Sequence, residues 1–194
     1  MKKNLFVTAL LLAGFTGYGF AQKDDAFLGV KLGMNIANCT NSDADARIGL
    51  NVGVMGQYFF TDHFAIEGNL LYSQQGCKAK EDGIKATVKL DYLTIPVLAK
   101  FYPTTGFNVY AGPQFGFAVN KKAKGSGYGV SVETDLEDVN TFDFGAVIGL
   151  GYDFNFGLLV DLRYNPGFTH IFKDVDSDDN SRNSVFTIGV GYKF

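Results

Sequence analysis

Along the last stretch of the chain, apolar and non-apolar residues take strict turns. Phe186, Ile188, Val190, Tyr192 and Phe194 hold every second position, with Thr187, Gly189, Gly191 and Lys193 between them. Successive side chains of a β-strand point to opposite faces. One face here is therefore aromatic and aliphatic, and the other small or polar. A strand that is oily outside and small or polar inside is ill suited to a water-soluble sandwich. It suits the closing strand of a transmembrane β-barrel, where lipid replaces water outside.

The two ends agree. Val190, Tyr192 and Phe194 resemble the C-terminal signal that directs barrels to the outer-membrane insertion machinery of Gram-negative bacteria. At the other end, Lys2 and Lys3 precede an apolar run from Leu5 to Phe15, and Gly19-Phe20-Ala21 supplies small residues before a cut. This is the pattern of a secretory signal peptide, residues 1–21, cleaved before Gln22. The remainder, 22–194, has the length of one domain. After Ala21 no apolar run reaches the roughly 18 residues of a helical span.

Composition fits an exported barrel. The chain has 24 Gly, 19 Phe and 10 Tyr but no Trp, so Tyr and Phe must form the interfacial girdles alone. A formal net charge of -3 argues against nucleic acid as a partner.

The alternation predicts eight strands: Phe27–Ile36, Ile48–Phe60, Phe64–Gln74, Thr87–Tyr102, Phe107–Val119, Phe142–Phe154, Leu158–Tyr164 and Val185–Phe194. In the fourth, Val88, Leu90 and Tyr92 share one face while Leu93, Ile95, Val97, Ala99 and Phe101 share the other. That switch predicts a bulge between Asp91 and Leu93. Connections after strands two, four and six are short. Those after strands one, three, five and seven are long and polar. Short periplasmic turns and long outer loops are the pattern of an outer-membrane barrel. A soluble lipocalin-like barrel is the rival, with the apolar set turned inward around a ligand. The expected fold is therefore an all-β, eight-stranded, antiparallel up-and-down transmembrane barrel.

The run Asp91-Tyr92-Leu93-Thr94-Ile95-Pro96-Val97-Leu98-Ala99-Lys100-Phe101-Tyr102 resembles the Y-L-x-I-P-x-L-x-K strand of the outer-membrane β-barrel family labelled porin-family or PorT-like. Asp161-Leu162-Arg163-Tyr164-Asn165, with Gly167, resembles that family's D-x-R-Y-x-x-G strand. Thr94 stands where the family often carries an acid. The resemblance spans the chain after the leader and implies the barrel rather than an activity.

Eight strands enclose a space that side chains fill, with no open channel. Counting inward positions from the turn end puts Lys31, Gln57, Glu67, Tyr110, Asp161 and Arg163 near one level, with Lys100 joining them if the strand-four bulge permits. Charges there need partners, because an unpaired buried charge costs several kcal/mol. The expectation is an ion-paired structural plug, with an ion or proton relay as the alternative.

Other positions are less specific. Cys39 and Cys77 lie just beyond strand ends on the loop side, where an exported chain permits a disulfide or two free thiols. Asp174, Asp176, Asp178, Asp179 and Asn180 have the spacing that opens a calcium loop. Asp179 sits where that loop needs Gly, and Val185 where it needs Glu, so an EF-hand is excluded. Lys121, Lys122 and Lys124 suit lipopolysaccharide phosphates or simple solvation. Lipid A-modifying barrels use His with Ser and an acid. His63 falls on a turn, and His170 has Asp174, Ser177 and Ser184 near it only in sequence, so no enzyme is expected.

The chain is thus expected to be a monomeric outer-membrane barrel without metal or cofactor. Its expected partners are outer-membrane lipid and lipopolysaccharide, the barrel-assembly machinery during insertion, and an extracellular or envelope protein. Structural, adhesive or envelope-interaction roles come first, an accessory role in secretion or envelope assembly second, and lipid A modification third.

Overall fold

The computed structural model describes residues 25–40, 45–81, 84–127, 130–136, 139–171 and 181–194. The leader and the acidic segment Asp174 to Asn180 lie outside the described residues. Nine strands are present among these: β1 Ala26–Cys39, β2 Asp45–Thr61, β3 Phe64–Glu81, β4 Ile84–Phe101, β5 Phe107–Gly127, β6 Val130–Asp135, β7 Phe142–Asp153, β8 Leu158–His170 and β9 Arg182–Lys193. Every pairing is antiparallel. Each strand of the ring pairs with the next, β7 follows β5, and β9 returns to β1. Eight strands thus close the ring, while β6 pairs with β5 alone.

Alternation sets the two faces as the sequence implies, with lipid rather than protein outside. On β1 the outward Leu28, Val30, Leu32, Met34 and Ile36 are 36–54% exposed, whereas the inward Lys31 and Asn35 are 4% and 0% exposed. Apolar side chains outside and charged ones buried inside is the inverse of a soluble barrel. The narrow ring also needs close backbone approach. A Cβ at the inward Gly53 or Gly112 would run into the carbonyl oxygen of Leu70 or Val97 on the neighbouring strand.

At one end the connections are tight. Thr61 Oγ1 accepts hydrogen bonds from the backbone N–H of His63 (3.3 Å) and Phe64 (3.1 Å). Gly106 and Gly157, with φ of 83° and 96°, supply the left-handed residue of the other two turns. At the opposite end two of the predicted long loops are largely strand. β3 runs to Glu81 and β4 starts at Ile84, and the loop expected from Lys121 to Thr141 contains the end of β5 and all of β6. The 18 residues of β4 extend ~60 Å, or ~45 Å of height at ordinary barrel tilt. A transmembrane apolar band is ~25 Å tall. The β3–β4–β5–β6 sheet therefore stands well clear of it.

The irregularity expected between Asp91 and Leu93 is present at that level, but its extra residue sits on the partner strand. β4 pairs with β3 in one unbroken register from Phe64↔Phe101 to Glu81↔Ile84. The irregularity is between β4 and β5, where Asp91 faces Asn120 and Tyr92 faces Ala118, so the extra residue is Val119 on β5. Along β4 the side chains keep their phase, and what changes is the surroundings. Below Tyr92, Leu93, Ile95 and Phe101 face lipid, while Leu98 turns inward and packs with Tyr110 and Val147. From Tyr92 upward they turn inward, where Leu90 and Tyr92 join a buried apolar cluster and Val88 packs against it.

Candidate functional site

The barrel interior is layered. Nearest the tight turns, Phe27, Phe59 and Tyr102 stack with ring centroids 6.0 Å and 5.0 Å apart. Beside them Asp153 accepts hydrogen bonds from Lys193 Nζ (2.7 Å), Tyr102 Oη (2.8 Å) and Asn108 Nδ2 (3.2 Å). Lys193 Nζ also lies 5.2 Å from the centre of the Phe27 ring. Cations over ring faces are attracted by the ring quadrupole.

The next layer holds the residues singled out in the sequence. Glu67 accepts from Lys31 Nζ (2.6 Å), Lys100 Nζ (3.0 Å) and Asn69 Nδ2 (3.0 Å). Lys100 also donates to Gln57 Oε1 (3.1 Å), and Gln57 Nε2 donates to the Tyr102 hydroxyl (2.8 Å). Asp161 accepts from Tyr110 Oη (2.8 Å) and from Arg163 through Nε (2.8 Å) and Nη2 (2.7 Å). Lys31, Gln57, Glu67, Lys100, Tyr110, Asp161 and Arg163 are all buried. They form two groups, one on Glu67 and one on Asp161, and Lys100 Nζ reaches the face of Tyr110 at 5.8 Å between them.

Sequence reasoning missed Tyr102, Asp153 and Lys193 as members. Their inward phase was readable, but counting levels by Cα left them at the mouth. The long stem of Lys100 closes that gap, placing its ammonium 3.8 Å from Asp153. The four cations Lys31, Lys100, Arg163 and Lys193 thus meet three carboxylates, Glu67, Asp153 and Asp161.

Above this layer the polarity falls. Asn35 donates to Ser73 Oγ and to the Gln74 carbonyl, both at 2.9 Å, and accepts from Thr187 Oγ1 (2.9 Å). Gln75 Nε2 donates to Ser73 Oγ (3.1 Å). Higher still, Asn183 Nδ2 donates to the Tyr92 hydroxyl (3.2 Å) and to Asp143 (3.3 Å). The loop end is then covered by an apolar cap of Cys39, Cys77, Leu90, Tyr92, Val139 and Ile171. Cys39 and Cys77 are bonded through sulfur, with Cα atoms 5.7 Å apart, and the bond ties β1 to β3 across β2. The β2–β3 register breaks at the same place, between Ala46 and Asn51.

The lysines of the long loop part company. Lys121 turns toward the cap, where its ammonium donates to the Val139 carbonyl (3.1 Å). Lys122 lies on the opposite face, 3.8 Å from Glu133, which Lys89 meets at 3.3 Å. The hydrogen bond from Lys89 and the charge of its neighbours hold the Glu133 carboxyl below the usual carboxylate range. His63 Nδ1 lies 2.9 Å from the Tyr102 carbonyl, and His170 Nε2 lies 3.4 Å from Arg182. Val190, Tyr192 and Phe194 lie on the outward face of the closing strand, 46%, 48% and 66% exposed.

A protein-family profile described as "Outer membrane protein beta-barrel domain" matches residues 20–173. No curated protein matches the chain. Among solved structures, the attachment invasion locus protein Ail of Yersinia pestis aligns with a TM-score of 0.52 at 16% identity, over 88% of this chain and 98% of that one. Neisserial surface protein A aligns with a TM-score of 0.52 at 14% identity, over 87% and 97%. At such identities the likeness is one of fold.

Proposed function

Because the chain belongs to the outer membrane protein β-barrel domain family, we propose that it is a closed barrel whose work is done by the sheet and loops standing outside the membrane. The role is structural, adhesive or one of envelope interaction. The tight turns face the periplasm and the cap faces out. One observation carries this: the interior is occupied from the aromatic stack through the ion-paired layer to the disulfide-braced cap. A hydrated ion finds no unpaired charge to follow among the described cations and carboxylates of the middle layer. The outward Val190, Tyr192 and Phe194 serve as the insertion signal for the assembly machinery, and the barrel works as a monomer. Planar-bilayer recordings of the purified, refolded chain test the closed interior. A quiet baseline is expected, and large stable conductance steps would overturn it.

A second role, as an accessory factor in secretion or envelope assembly, is favoured by the Asp91–Tyr102 strand and its PorT-like pattern. Crosslinked pull-down from intact cells separates the two, because an accessory factor brings down envelope machinery and an adhesive surface does not. We propose no catalytic role. His63 is engaged with the Tyr102 backbone and His170 sits against Arg182, and neither arrangement activates a hydroxyl. Mass spectrometry of lipid A from cells with and without the protein checks this, and a change in acyl chains would reverse it.

A further inference from the structure

Glu67 and Asn69, neighbours on the inward face of β3, meet Lys31 of β1 in the buried layer. Register sets the meeting. Asn35 on β1 bonds to Ser73 on β3, and Cys39 on β1 to Cys77 on β3, each pair separated by 38 residues. Lys31 and Asn69 are the next pair in that series, four residues nearer the tight turns on each strand and again 38 apart. On β2, which lies between, the residue opposite Lys31 is Gly53, and it has no side chain to obstruct the crossing. One carboxylate oxygen joins the two nitrogens. Glu67 Oε1 accepts from Lys31 Nζ at 2.6 Å and from Asn69 Nδ2 at 3.0 Å. At such distances a carboxylate can carry a proton from one group to the other. Asn69 Oδ1 is buried with no hydrogen-bond partner among the described residues, so the amide is anchored through its nitrogen alone.

Charge singles out Lys31. Four cations share the layer with three carboxylates, so one cation is in excess. Arg163 pairs with Asp161 and cannot give up its proton. Lys193 pairs with Asp153 at 2.7 Å. Lys100 lies between Glu67 at 3.0 Å and Asp153 at 3.8 Å. Lys31 has only Glu67 among the described residues, and shares it with Lys100. Burial disfavours the charged form of an amine that lacks its own counter-charge. A desolvated lysine in the free-amine form is a nucleophile.

We infer that Lys31 and Asn69 become joined by an intramolecular amide bond, with Glu67 as the proton carrier. Lys31 enters as the free amine, its extra proton left in water as the layer closes. Its Nζ adds to Cγ of Asn69. Glu67 Oε1 takes a proton from the attacking nitrogen and returns one to Nδ2. The Cγ–Nδ2 bond breaks, ammonia leaves, and the Nζ–Cγ amide remains. Nothing is oxidised or reduced. The product sets three cations against three carboxylates and leaves Glu67 to Lys100. It ties β1 to β3 within the ion-paired layer, as the Cys39–Cys77 bond ties the same strands at the cap. The other amine–amide contact, Lys100 with Gln57 Oε1 at 3.1 Å, stays unreacted, because Lys100 keeps two carboxylates and hence its proton.

Tryptic digestion of the folded full chain, with Cys39 and Cys77 reduced and blocked, followed by tandem mass spectrometry, supplies the test. The expected product is one branched peptide uniting the segments around Lys31 and Asn69. It should be uncut after Lys31 and lighter than the two segments together by one ammonia, about 17 Da. Fragmentation of that peptide places the loss, since an N-terminal Gln22 cyclises with the same change of mass. The link should be absent from chain kept unfolded in urea and should appear on refolding into lipid vesicles. Lys31→Arg keeps the positive charge but should lack the link. Glu67→Gln, shown to be folded by its mobility on gels, should lack it too. Separate peptides from the folded wild type, cut after Lys31 and carrying an intact Asn69, overturn the inference. So does conversion of Asn69 to Asp without a link, which would make water the nucleophile. A link that forms as fully in Glu67→Gln as in wild type overturns the part given to Glu67.

Discussion

Glu67 and Glu133 are each held between two lysines, yet the two arrangements do different work. Glu67 meets Lys31 and Lys100 at 2.6 Å and 3.0 Å, with all three side chains at most 4% exposed. Glu133 meets Lys89 and Lys122 at 3.3 Å and 3.8 Å with 41% of its side chain in solvent. The first pairing is obligatory, since none of its charges can reach water. The second is optional, since all of its charges can. The contrast extends to the whole sheet. Within the membrane, oily residues face out and charges face in. In the standing sheet, Leu90 and Tyr92 face in while Lys89 and Lys122 face out. One polypeptide keeps one strand geometry across two solvents, and only the sign of the pattern changes.

The largest effect should come from breaking the obligatory pairing. Glu67→Ala leaves Lys31 and Lys100 without their shared carboxylate in a dry interior. Removing one member of a buried ion pair typically costs about 3–5 kcal/mol. Urea titration of the refolded protein in lipid vesicles, read by the mobility shift of folded barrels on gels, should register that loss. A stability within 1 kcal/mol of wild type would mean that water reaches the layer, an order-of-magnitude threshold set by exposed pairs. Glu67→Gln, which keeps the shape, should fall between the two.

The inversion itself can be broken by putting one charge on either side of the boundary. Val54 is 52% exposed on the outward face of β2, opposite Leu70 on β3, and Val132 is 61% exposed on β6. Exposure alone ranks them as equivalent. Lipid distinguishes them: Val54→Lys should cost about 2–4 kcal/mol, and Val132→Lys close to nothing. Equal costs in the same titration would show that the belt stops short of Val54 or that it continues onto β6.

This inversion also explains what the residues disclosed and what they concealed. Strand positions were legible wherever lipid enforces alternation, as in Phe186 to Phe194, because a misplaced polar side chain there is expensive. The strand ends were not. Val88, Leu90 and Tyr92 are apolar on the wrong face for a membrane strand, so their phase suggested a bulge in β4, whereas they are the floor of the cap. The ion-paired layer was legible because inward charges are few and must find one another. Asp153 escaped because Cα levels ignore how far a lysine side chain extends. The Cys39–Cys77 bond stayed open because β2 lies between its strands, and no pattern in the sequence says how far β2 leaves the ladder.

That bond joins the two regions. Replacing both cysteines by Ala removes the tie between β1 and β3 over a separation of 38 residues. A loop of that length is worth about 2–4 kcal/mol through the unfolded chain. The loss should be local in its structural effect. Hydrogen exchange should rise at β1 and β3 residues around the cap, while amides near Glu67 keep their protection. Faster exchange throughout the barrel would indicate that the cap and the ion-paired layer form one cooperative unit.

The smallest effect on stability belongs to Glu133→Gln, and it sharpens the comparison most. An exposed carboxylate shared by two lysines contributes too little for urea titration to resolve. Solvent screens Lys89 and Lys122 once the carboxylate is gone, because both are already partly exposed. The unfolding midpoint should therefore stay put in Glu133→Gln, the reverse of the outcome for Glu67→Ala. Were the midpoint to fall by as much as it does in Glu67→Ala, the outer pairing would prove as obligatory as the inner one.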